Sequence, residues 1–144
     1  DEATFLRSRV DLDLRNAGQH AQLLALYREL IRLRKTVPAL SVPDGPAGGA
    51  GAVSVFEPEK ALLVLRERAG GRAAAAFNFG DAPVSLSAEI PPASWRKALD
   101  SSDVRWGGPG GAVPDVLDAA AGAPLLPVAP RSFVLLLEDG KEGP

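Results

Sequence analysis

One stretch limits the possible folds more than any other. Asn16–Pro38, NAGQHAQLLALYRELIRLRKTVP, is the only long run with a helical period, and everything after it is punctuated for short strands. Asn16 with Gln19 three residues on has the spacing of a capping box and predicts the helix start. Gly18 weakens the first turn. Pro38 ends the helix, because a proline pushes the residue before it, Val37, out of the α region. Arg32, Arg34 and Lys35 crowd the last turns, where positive charge suits the helix dipole. At ~100° per residue, the apolar positions Leu23, Leu24, Leu26, Tyr27, Leu30, Ile31, Leu33 and Val37 cover an arc of roughly 180°. A helix resting on one layer needs only about 100°. This helix is therefore predicted to sit between two packed surfaces. Arg34 and His20 project within the same arc. Arg34 reads as a snorkelling or ion-paired side chain. His20 reads as a solvated or satisfied histidine and not as a base.

Ahead of the helix, Val10, Leu12 and Leu14 alternate with Asp11, Asp13 and Arg15, a short period of two in a segment too small to fold alone. Behind it, 41–52 (SVPDGPAGGAGA) is a Gly/Pro/Ala-rich boundary or surface loop. Its glycines lack the GxxxxGK[ST] spacing of a phosphate cradle. From Val53 the period is two. Val53–Phe56 and Leu62–Arg66 flank the turn Glu57-Pro58-Glu59-Lys60, and Ala69-Gly70-Gly71-Arg72 marks a second hairpin. Ala73–Phe79 is continuously apolar, as expected of a strand buried on both faces. Val84–Ala88, Trp95–Leu99, Val116-Leu117, Leu125–Val128 and Arg131–Leu137 complete seven or eight strands. Trp95, Lys97 and Leu99 are expected on one side of theirs. Many short strands with turn signals every 8–12 residues make an all-β sandwich or barrel.

Composition excludes several classes of function. The 144 residues carry a net charge of −2 and show no basic stripe, so no nucleic-acid partner is expected. No apolar run reaches the roughly 18 residues of a membrane span, and no signal-peptide pattern opens the sequence. With no Cys and one His, thiolate chemistry and Cys or multi-His metal sites are ruled out. No metal site and no cofactor are predicted. Fifteen Gly and thirteen Pro exceed the usual share of roughly 12% and fall mostly after residue 40, as turns.

No catalytic constellation emerges. Asp11/Asp13, Glu57/Glu59 and Asp100/Asp103 are close carboxylate pairs, but a Ca²⁺ site gathers about six oxygens and no DxDxDG loop is present. They read as solvated carboxylates. Trp95, in a strand, reads as core. Trp106, in the loop 101–115, is the one residue singled out as a candidate for substrate contact, by stacking on a sugar ring.

The order of elements carries a resemblance. DEATFLRSRVDLDL, then HAQLLALYRELIRLRKTVPAL, then a β-rich tail with AFNFGDAPVSL, resembles the C-terminal end of the α-amylase-like glycoside hydrolases, and within them the malto-oligosyltrehalose trehalohydrolases. Asp1–Arg9 is similar to the stretch that those enzymes carry after the eighth barrel strand. His20–Arg34 is similar to their last barrel helix, and Asn78–Val84 to a strand-turn-strand of their C-terminal sandwiches. Arg9 stands where Lys is usual, and Val-Asp-Leu-Asp follows where an aromatic is common.

The resemblance implies a division of the chain. Residues 1–41 would be the tail of a (β/α)8 catalytic barrel, 42–52 a linker, 53–139 a C-terminal antiparallel β-sandwich and 140–144 a frayed tail. The fold class would be mainly β, preceded by one long helix. The implied activity is cytoplasmic trehalose biosynthesis: cleavage of the α-1,4 bond next to the terminal trehalose of maltooligosyltrehalose. The implied partners are that α-glucan substrate, through the parent enzyme, and the barrel, by intramolecular packing. Catalytic carboxylates would flank the scissile bond, and no position here matches them, so no catalytic residue is assigned. Residues 1–15 would lie on the catalytic face of the barrel. The alternatives are the C-terminal part of a glycogen branching or debranching relative, or a free-standing carbohydrate-binding sandwich. A free module should leave only one narrow face of the helix apolar.

Overall fold

In the computed structural model, which describes residues 12–41 and 50–140, a helix lies across one face of a large antiparallel sheet and a small sheet covers the other. The helix α1 spans Gly18–Thr36. The strands are β1 (Ala50–Phe56), β2 (Ala61–Arg68), β3 (Gly71–Asn78), β4 (Val84–Ser87), β5 (Ser94–Asp100), β6 (Val116–Asp118), β7 (Leu125–Val128) and β8 (Ser132–Glu138). Six of them form a sheet in the order β1-β2-β3-β8-β5-β6, and β4 pairs with β7 in the second sheet. The mainly β fold with one long helix is the one the sequence predicts. Asp1–Asp11, most of the linker and Lys141–Pro144 lie outside the described residues, and with them the DEATF phrase and the frayed tail.

The start of the helix differs from expectation. Asn16 does not cap it; it ends a short 3-10 turn, Leu12–Asn16. The N-cap is Ala17, in an extended conformation and with no side-chain hydrogen bond. Gly18 follows with φ of +53°, a left-handed conformation that glycine adopts without steric cost. The chain turns at Gly18, so a helix cannot run back to Asn16. The other end is as expected. Val37 is extended (φ −98°, ψ 112°) and its N–H still bonds Leu33 O. A 3-10 turn at Pro38–Leu40 then buries Ala39, and Arg68 of β2 donates to Ser41 Oγ at 2.9 Å. The helix C-terminus is thereby tied to the sheet.

The hairpins follow the turn chemistry. Two residues, Ala69 and Gly70, join β2 to β3, both with positive φ (50° and 77°), the geometry that matches strand twist. Ala69 adopts it against its Cβ. Ala69→Gly is therefore expected to stabilise the chain by about 1 kcal/mol, measured as a higher urea midpoint at unchanged slope.

Two cores sit on opposite faces of the large sheet, and the alternation along β3 and β8 divides them. Ala74, Ala76, Val134 and Leu136 face the small sheet, meeting Leu86, Leu126 and Val128. Ala73, Leu135 and Leu137 face the helix, meeting Leu33. These two strands pair with each other at the centre of the sheet, which explains their unbroken apolar runs. Trp95 is fully buried in the inter-sheet core, its Nε1 donating to Pro91 O at 3.1 Å. Leu99 is not on its side. A register shift between Lys97 and Leu99 inserts one residue and turns Leu99 into the helix-side core.

One buried polar side chain pins the sandwich. Asn78 Nδ2 donates to the carbonyls of Ala82 (2.8 Å), Val128 (3.2 Å) and Ala129 (3.0 Å), and its Oδ1 accepts from Gly80 N (2.8 Å). It ties the β3–β4 turn to the segment between β7 and β8. Asn78→Ala leaves several buried partners unsatisfied, at about 1–3 kcal/mol for each group. A loss of about 3 kcal/mol in a denaturant melt is expected, and Asn78→Asp, which cannot donate, should not recover it.

Candidate functional site

The carboxylate pairs do not assemble a reaction centre. Asp11 lies outside the described residues, and Asp13 belongs to the 3-10 turn before α1. Glu57 and Glu59 are exposed on the β1–β2 turn. Asp100 is buried and accepts from Ser102 N (2.9 Å) and Ser102 Oγ, while Asp103 accepts from Arg105 N (2.9 Å) and caps the 3-10 turn Val104–Trp106. Both shape the loop after β5. Among the described residues, no group of three or more His, Asp or Glu is placed to hold a metal ion. His20 is exposed in the first turn of α1.

Trp106 is half-buried at the helix-side core, against the cluster that holds Leu26, Leu30 and Leu99. The Arg105 guanidinium lies 4.3 Å from its ring centroid and takes one face of the indole. A Cβ at the neighbouring Gly107 would meet Gln22 of α1, so this loop presses on the helix. Arg32 donates to Glu29 at 2.6 and 2.8 Å, and this bond holds the Glu29 carboxyl below the usual range; Arg105 adds to the effect. Trp106→Ala should cost about 2 kcal/mol, below the 3–5 of a fully buried tryptophan, read as a lower melting temperature.

The feature that stands out is apolar and not catalytic. Leu26, Leu30, Leu33 and Val37 turn toward the sheet. At ~100° per residue, Leu23, Tyr27 and Ile31 lie about a quarter turn further round, and they are 49%, 58% and 52% exposed. Leu12 and Leu14 add exposed apolar surface ahead of the helix. The half-cylinder of apolar residues thus divides in two: the sheet takes one side, and the other faces outward. His20 and Arg34 lie on the outward side and are exposed.

No family model matches the sequence. The curated proteins do supply relatives. The chain is similar in sequence to malto-oligosyltrehalose trehalohydrolases. It is 40% identical to that of Rhizobium sp. (strain M-11) over 86 residues, 60% of this chain and 13% of the relative. It is 49% identical to that of Deinococcus radiodurans over 39 residues, 27% of this chain and 6% of the relative. The chain thus spans about an eighth or less of the trehalohydrolases it matches. Among solved structures, it superposes on a Salmonella typhimurium protein assigned as an α-amylase with a TM-score of 0.61, 20% identity, and coverage of 96% of this chain and 20% of that one. The trehalulose synthase of Pseudomonas mesoacidophila MX-45 gives a TM-score of 0.53 at 18% identity, over 91% of this chain and 21% of that one. These neighbours speak to the fold alone. The resemblance drawn from the helix and strand phrases is therefore found again in relatives of the same name and in structures of the α-amylase group. No helix among the described residues is long and apolar enough to cross a membrane.

Proposed function

We propose that this chain is the C-terminal part of a malto-oligosyltrehalose trehalohydrolase, and that its role is structural. Residues 1–41 are the tail of the catalytic barrel, α1 is its last helix, 42–52 are the linker and 53–139 the sandwich that covers the barrel's flank. The carrying observation is the outward stripe Leu23, Tyr27 and Ile31, each about half exposed while Leu26, Leu30 and Leu33 of the same helix pack on the sheet. Burying a side chain of that kind is worth about 1.5–3 kcal/mol, so a chain that leaves three in a row in water gains much by covering them. The sequence similarity supports the reading, since each relative is much longer than the matched segment.

In this reading the parent enzyme cleaves the α-1,4 bond next to the terminal trehalose of maltooligosyltrehalose, with carboxylates supplied by the barrel, in the cytoplasm. The chain itself contributes no reacting group. Trp106 is placed as a wedge beneath the helix, and a sugar could stack only on the ring face that Arg105 leaves open.

The longer chain, assayed on maltooligosyltrehalose, is expected to release trehalose, and residues 1–144 alone are expected to release none. Formation of α-1,6 branches from linear maltodextrins, or cleavage of α-1,6 bonds, without trehalose release would instead assign the parent to a branching or debranching relative. Ile31→Gln should lower the melting temperature of the longer chain while leaving the unfolding free energy of the 144-residue piece within about 0.5 kcal/mol of wild type, as for an ordinary surface change. An equal, small effect in both would favour a free-standing module.

A further inference from the structure

No further inference is drawn: the strongest candidate, the outer edge of β1 (Ala50–Phe56) at one end of the six-stranded sheet, a strand with no charged residue or proline to keep another strand from pairing with it, carries nothing because nothing in the structure shows what covers it.

Discussion

The structure depends on one constraint: its central strands are apolar on both faces. β3 and β8 alternate residues into two separate cores, with Ala74, Ala76, Val134 and Leu136 on one side and Ala73, Leu135 and Leu137 on the other. Neither face can be left in water, so each needs a cover. The β4–β7 sheet supplies one and α1 the other. The alanines of β3 let both covers come close, since a small side chain at the centre of a sheet keeps neither layer at a distance. The clamps follow from the same need. Asn78 holds the connections of the small sheet in place, and Arg68 with Ser41 holds the end of the helix.

The cover on the helix side is incomplete. A single helix spans only part of a six-stranded sheet. The polar groups that could have suggested chemistry are instead used in building loops: Asp100 and Asp103 order the turn after β5, and no buried polar side-chain atom among the described residues lacks a partner. A chain with satisfied polar groups and unsatisfied apolar ones is equipped for packing.

Much of the fold was legible because its signals are local. Pro38 dictated the helix end through Val37, and Ala69-Gly70 marked its hairpin through positive φ. The continuous apolar run of 73–79 announced a strand with no wet face. The wide apolar arc of the helix is present, but the sheet takes only one side of it, and Leu23, Tyr27 and Ile31 on the other side are exposed. The failures were local signals overruled. The Asn16–Gln19 spacing fits a capping box, but the chain turns at Gly18 after a 3-10 turn, and the cap falls on Ala17. Strict alternation put Leu99 beside Trp95, but one inserted residue sends Leu99 to the other core.

By itself, then, the sequence determined which segments are helix and strand, that 73–79 is a strand with no wet face, and that the apolar arc of the helix is wider than one layer requires. Those properties follow from periodicity, turn stereochemistry and the cost of wet apolar surface, all readable within a few residues. Only the tertiary structure decided that β3 pairs with β8 and that six strands join one sheet and two the other. Such pairings join segments nearly sixty residues apart, as when Ala76 meets Val134. They are selected by the fit of whole faces, for which no short stretch of sequence carries a signal.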